Sequence, residues 1–154
     1  MSLTALLMRR ACLKSDNKRD AGLTTPSNIE RVDNIRYADN KEATLDVYYP
    51  KGTSGKLPVI VSIHGGGFVY GSTKTYQFYG MNLAQRGFVF VNFNYRLAPR
   101  YKFPAPIEDT NRVMEWLIAN AETYHADLNN VFMVGDSAGG QLLSQYAAMV
   151  TNRT

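Results

Sequence analysis

Two glycine-rich segments hold the residues best suited to chemistry. The first, Gly135-Asp136-Ser137-Ala138-Gly139-Gly140, follows the apolar run Val131–Val134 and precedes a segment of helical pattern. A G-x-S-x-G pattern between strand and helix makes a sharp turn that lifts the serine hydroxyl above a sheet, and its glycines relieve the crowding of that turn. The helix beginning there brings partial positive charge and free N–H groups close to developing negative charge. Ser137 is therefore the candidate nucleophile. Taken alone, the pattern also fits a turn that only lets a helix pack closely on a strand. The second segment, His64-Gly65-Gly66-Gly67-Phe68, directly follows the apolar residues Val59–Ile63. Three consecutive glycines after a buried strand present N–H groups without side-chain obstruction, which an oxyanion hole requires. A nucleotide-binding loop does not fit, because Tyr70 stands where G-x-G-x-x-G needs its third glycine and no Lys-Ser/Thr pair follows at the spacing of G-x-x-x-x-G-K-[ST].

The elements that would position these loops can be read from periodicity. Leu3, Leu6, Leu7 and Leu13 fit one helical face over residues 3–13, and the polar stretch Lys14–Asn28 with Pro26 reads as a linker. Ile29–Ala38 and Ala43–Tyr49 read as strands of a hairpin around the turn residues Asp39-Asn40-Lys41-Glu42. From Leu57 onward, apolar runs alternate with segments of helical length. Leu57–Ile63, Phe88–Phe93 and Val131–Val134 are predicted strands, and Lys74–Arg86, Ile107–Glu122 and Gln141–Val150 predicted helices. That alternation predicts an α/β architecture with a mostly parallel sheet, preceded by an antiparallel hairpin. Ligands then bind beyond the carboxyl ends of the strands, where both glycine-rich segments fall.

With these motifs in place, the sequence resembles the α/β-hydrolase esterases, in particular their hormone-sensitive-lipase-like branch, from about Ile29 to Val150. The resemblance rests on four segments in the family's order: His64 to Gly71, Asn94-Tyr95-Arg96-Leu97-Ala98-Pro99, Phe103 to Asp109, and Gly135 to Gly140. It implies an α/β-hydrolase fold in which Ser137 attacks an ester carbonyl and the amides of Gly65, Gly66 and Ala138 hold the oxyanion. It also implies a short-chain acyl or acetyl ester as the small-molecule substrate, and no cofactor. Residues 1–28 resemble the family's N-terminal cap element, or form a helix packed elsewhere; residues 29–154 correspond to the N-terminal half of the hydrolase domain. Phe68 and Tyr70 line the acyl pocket or belong to the core. Arg96 and Asp109 read as a buried ion pair under the loop after Phe93, since a charge there needs a partner.

A serine hydroxyl needs a base, and the base an orienting carboxylate. In this fold both follow the serine in the chain, yet residues 138–154 contain no Asp, Glu or His. His64 belongs to the glycine loop, and His125 precedes its strand at the end opposite Ser137. The expectation is a hydrolase cut after the nucleophile helix, inactive or very feeble as these residues alone. The free edge of Val131–Val134 would then be an association surface for a C-terminal half or another chain. A ligand-binding module without catalysis and a serine peptidase or amidase are the alternatives.

Composition narrows the remaining classes. With 154 residues, 45% hydrophobic and 19% charged, the chain suffices for one domain burying roughly 70% of its unfolded surface. The net charge of +4 lies mainly in residues 1–41, with eight Lys/Arg against five Asp/Glu. No cluster has the density of a nucleic-acid site. The one cysteine, Cys12, forms no internal disulfide, and no Cys/His grouping has metal-ligand spacing. No apolar run approaches a membrane span, and residues 3–8 are too short for a signal segment. The expected setting is cytoplasmic.

Overall fold

The computed structural model describes residues 3–152. Helix α1 (Leu3–Arg19) leads to a hairpin of β1 (Ile29–Arg36) and β2 (Thr44–Pro50). There follow β3 (Leu57–Ile63), α2 (Gln77–Ala84), β4 (Val89–Phe93), α3 (Ala105–Asn120), β5 (Ala126–Gly135) and α4 (Ala138–Thr151). The strands form one sheet in the order β1-β2-β4-β3-β5. β3 pairs in parallel with both β4 and β5, whereas β2 runs antiparallel to both β1 and β4. The sheet is therefore mixed, with its parallel part where helices alternate with strands, as a crossover connection requires.

Period-two alternation sorts the side chains between two faces. Val59, Val61, Ile63, Val89, Val91 and Phe93 pack with Ile107, Val113, Leu117 and Leu142 of α3 and α4. Ile60, Tyr48 and Phe90 face α2, against Met81 and Ala84. Buried polar groups are concentrated on the α2 face. Asp46 of β2, fully buried, accepts hydrogen bonds from the Asn34 amide at 2.8 Å, the Tyr48 hydroxyl at 3.2 Å and the Lys74 ammonium at 3.0 Å.

Several boundaries depart from the periodicity. α1 runs six residues beyond Leu13, because Lys14–Arg19 contains no breaker and Asp16 pairs with Arg19 one turn later at 3.0 Å. α2 begins at Gln77 rather than Lys74. Residues 72–76 are held as a loop instead: the Thr73 amide donates to Asn94 Oδ1 at 2.9 Å, the Ser72 amide donates to Thr75 Oγ1 at 3.1 Å, and Asn92 Nδ2 donates to the Thr73 carbonyl. β5 starts at Ala126, with a break in register between Pro58 and Val59 of its partner. Residues 128–130 have no register partner on β3 there, and Asp127 turns the chain by accepting the Asn129 amide at 3.0 Å.

Candidate active site

Ile63 and Gly135, the last residues of β3 and β5, are register partners. Adjacent parallel strands thus deliver the two glycine-rich segments to the same edge of the sheet. The loops meet backbone to backbone. A Cβ on Gly139 would stand 2.0 Å from the Ile63 carbonyl oxygen, and one on Gly135 would stand 2.6 Å from the Gly139 carbonyl. Both lie far inside van der Waals contact, so the two glycines are steric requirements of the approach.

Between them, Ser137 takes the N-cap position of α4 with φ 49° and ψ −117°, a conformation that L side chains rarely adopt. The serine is exposed, and the Ala138 amide behind it opens the first helical turn. Strain of this kind costs on the order of 1–3 kcal/mol and falls away for glycine. Ser137→Gly should therefore be more stable than Ser137→Ala by about 1 kcal/mol, despite glycine's greater unfolded entropy. Urea denaturation of the two variants checks this, and an alanine variant equal to or more stable than the glycine one would refute it.

The glycine loop is held one peptide at a time. The His64 carbonyl accepts from the Tyr95 hydroxyl at 2.8 Å, while the Gly65 N–H of the same peptide donates to Asp136 Oδ1 at 2.9 Å. His64 Nδ1 lies 2.8 Å from the Gly65 carbonyl, which only accepts, so Nδ1 carries the proton. The Gly66 carbonyl accepts from the Val69 and Tyr70 amides at 3.1 and 3.0 Å. A planar trans peptide points its N–H opposite its carbonyl. With each carbonyl engaged, the N–H groups of Gly66 and Gly67 turn to the other side of the loop. They have no hydrogen-bond partner among the described residues, and neither does the Ala138 amide. Gly66 at φ 120° and Gly67 at φ 59° supply the backbone conformations that this path needs. The expected place of Gly65 among the donors changes accordingly, since its N–H is already taken by Asp136. Gly66, Gly67 and Ala138 are the unengaged amides.

Neither histidine is placed as a base for Ser137. His64 is fully buried, stacks on Tyr95 with ring centroids 4.2 Å apart, and directs its proton into its own loop. His125 precedes Ala126, which pairs with Leu57 at the far end of β3. Six strand residues, roughly 20 Å, separate it from the Ser137 end.

Burial lowers the His64 pKa from 6.5 to about 4, and its Nε2 has no partner among the described residues. In the unfolded chain the imidazole binds a proton near pH 6.5, while the folded chain resists doing so until about pH 4. Stability from this group is thus complete above pH 6.5 and declines as the pH falls toward 4, by as much as about 3 kcal/mol. His64→Asn keeps a donor for the Gly65 carbonyl and does not titrate. Its urea midpoint should fall less than that of the unaltered chain between pH 7 and pH 4.5; parallel declines would exclude this role.

The BD-FAE family profile matches residues 45–154. The chain belongs to the BD-FAE family. Among its relatives are the versiconal hemiacetal acetate esterase of Dothistroma septosporum, 36% identical over 75% of this chain and 33% of that protein, and esterase LipC of Mycobacterium tuberculosis, 34% identical over 77% and 30%. Esterase B of Lactobacillus rhamnosis, solved with a tributyrin phosphonate, superimposes with a TM-score of 0.87 at 28% identity over 99% of this chain and 52% of that one. The fold is that of the α/β-hydrolases, and the family is one of carboxylic ester hydrolases. The chain spans about a third of the length of these curated relatives and about half of the solved structure.

Around the elbow of this BD-FAE chain, a cavity of about 410 Å³ opens between α2, the C-terminal end of α1 and the ends of β3 and β5. Asp136, Tyr76, Tyr79, Phe78 and Ile63 line it. Phe68 and Tyr70 do not. Phe68, at φ 62°, packs against the main core, and the Tyr70 hydroxyl donates to Asp16 Oδ2 of α1 at 2.6 Å. α1 contributes no buried residue, yet Arg19 Nη2 donates to the Thr75 carbonyl at 2.7 Å. The helix therefore lies over the glycine loop and its continuation. Arg96 and Asp109 form the expected pair, with Nε to Oδ2 at 2.9 Å and the carboxylate buried. Tyr76, Tyr95 and the carboxylate of Asp136 had no separate signal in the sequence, because their contacts join distant segments. Among the described residues, no helix is long and apolar enough to cross a membrane, and no group of His, Cys, Asp or Glu is arranged to hold a metal ion.

Proposed function

We propose that this chain carries the nucleophile and oxyanion donors of a serine carboxylesterase acting on short-chain acyl or acetyl esters. The observation that carries the reading is Ser137 in a strained elbow at the head of α4, beside a loop whose Gly66 and Gly67 amides, with that of Ala138, are unengaged. In this reading Ser137 Oγ attacks the ester carbonyl, its proton passing to a base. The carbonyl oxygen gains negative charge and takes the N–H groups of Gly66, Gly67 and Ala138. When the C–O bond breaks, the alcohol departs with the proton and leaves an acyl group on Ser137, which water then removes. The relatives' names supply the substrate class: one is an acetate esterase, and one solved neighbour was captured with a tributyrin phosphonate. The α1 helix serves as a cap element over the glycine loop.

The base is the part that residues 1–154 do not provide. With nucleophile and oxyanion donors alone, a serine hydrolase retains about 10³–10⁴-fold acceleration over water. These residues by themselves should therefore hydrolyse p-nitrophenyl acetate no faster than that, and Ser137→Ala should remove whatever covalent acylation mass spectrometry detects. Turnover at ordinary enzymatic rates, about 1–10³ s⁻¹, that survived Ser137→Ala would eliminate Ser137 as the nucleophile.

A further inference from the structure

The residue between Gly135 and Ser137 has a geometry that the esterase reading does not use. Asp136 is exposed toward the cavity beside the elbow, yet its carboxylate reaches across to the other loop and accepts the Gly65 N–H at 2.9 Å. The contact is close packed: a Cβ on Gly65 would stand 2.5 Å from Asp136 Oδ2 and 2.9 Å from Oδ1. Tyr76 lines the same cavity as Asp136, and burial together with the nearby carboxylate raises its hydroxyl pKa. Tyr76 is itself delivered by the 72–76 loop, which the side chains of Asn92 and Asn94 tie to β4 and its end.

The bond falls where direction matters most. The peptide between His64 and Gly65 is gripped on both edges, its carbonyl by the Tyr95 hydroxyl and its N–H by Asp136. The next two peptides are those whose N–H groups remain unengaged. A rotation of the first would reorient both that follow, because a glycine chain has no side chains to resist it. A charged acceptor is suited to the task, since a carboxylate bond to an amide is shorter and stronger than one between neutral groups.

We propose that Asp136 is a positioning residue: its carboxylate locks the glycine loop to the nucleophile elbow through the Gly65 amide and so sets the direction of the Gly66 and Gly67 amides. The proposal rests on the esterase reading for its purpose, and its geometry can be tested without any turnover.

The test is amide hydrogen exchange followed by NMR on residues 1–154. In the unaltered chain the Gly65 amide should be protected. Asp136→Ala should speed its exchange by about tenfold or more, with Val61 and Val91 in the sheet unchanged, so that general unfolding is excluded. Asp136→Asn, which keeps an acceptor oxygen, should restore most of the protection. A methyl group at position 65 would displace the carboxylate, so Gly65→Ala should perturb the Gly66 and Gly67 amide resonances in the unaltered background and much less in Asp136→Ala. Equal protection of Gly65 in all three proteins, or equal perturbation by Gly65→Ala in both backgrounds, would overturn the lock. In a protein that joins these residues to the base they lack, Asp136→Ala should lower kcat about tenfold with KM nearly unchanged, and Asp136→Asn should recover most of it. A lock seen by exchange together with unchanged kcat would overturn the positioning role alone. Absence of ester turnover in that base-supplied protein before any substitution would instead count against the esterase reading.

Discussion

Replacing Gly139 by alanine will destabilise the fold by about 3 kcal/mol or more, while the same change at Gly140 will alter stability by less than about 1 kcal/mol. The two glycines are adjacent and both belong to the first turn of α4, so composition and helix propensity treat them alike. Their surroundings differ. A Cβ at Gly139 would lie 2.0 Å from the Ile63 carbonyl oxygen, 2.8 Å from its carbon and 2.9 Å from the His64 carbonyl oxygen. All three atoms are backbone, at the end of the central parallel strand, and none can swing away as a side chain would. Relief must come from moving α4 off β3, which opens the packing of Leu142 against the main core. Overpacking by one methyl in a rigid site costs about 1–3 kcal/mol, and here the obstacle is the sheet itself. At Gly140 the nearest atom is the Gly135 carbonyl oxygen at 3.2 Å, which a shift of a few tenths of an ångström relieves. Alanine's better helix propensity, about 1 kcal/mol, then offsets most of the strain. Urea denaturation of the two variants checks the contrast. If Gly139→Ala were as stable as Gly140→Ala, the backbone-to-backbone approach of the two loops would be wrong.

The second large effect concerns Asp109, whose carboxylate is buried on α3 beneath the loop that follows β4. It accepts from the Arg96 backbone N–H at 2.8 Å, from Arg96 Nε at 2.9 Å and from Arg112 Nη1 at 3.2 Å. Asp109→Ala removes the acceptor for a backbone amide and strands a guanidinium that is itself only 17% exposed. Breaking a buried pair from one side costs about 3–5 kcal/mol. Arg96 retains the Glu108 carboxylate at 2.8 Å and the Ala105 carbonyl at 3.1 Å, which places the expected loss near the lower figure, about 3 kcal/mol. Glu108, although it also pairs with Arg96, has a half-exposed side chain. Glu108→Ala should therefore cost less than about 1 kcal/mol. Thermal or urea unfolding separates the two, and similar losses would show that Asp109 is not the anchor. The consequence reaches the site, because the Ala98 amide just beyond Arg96 donates to the Phe68 carbonyl at 2.8 Å. Loosening Arg96 slackens the far end of the glycine loop.

What could be read from the residues in order was whatever depends on local spacing. The strand pattern of β2, the apolar runs of β3 and β4, helical periodicity in α3 and α4, and the two glycine-rich signatures follow from the geometry of a strand, a helix and a tight turn, each a property of a few neighbours. The pairing of Arg96 with Asp109 was legible for a related reason, since a charge beneath a buried loop requires an opposite one. What sequence spacing left open was decided by juxtaposition. Nothing along the chain requires Ile63 to pair with Gly135, and that register alone places Ser137 beside the glycine loop. Nothing local indicates that the Gly65 amide turns inward to Asp136, which moves the unengaged donors one residue along, to Gly66 and Gly67. The start of α2 was likewise settled by Asn92 and Asp46, buried polar groups on other strands, and by the half-buried Asn94 just beyond β4, whose hydrogen bonds outweighed the helical tendency of residues 74–76. Local propensity is worth tenths of a kcal/mol per residue, whereas a buried polar group left unpaired costs about 1–3 kcal/mol. Where the two compete, as at the edges of every element around this site, the tertiary partner decides.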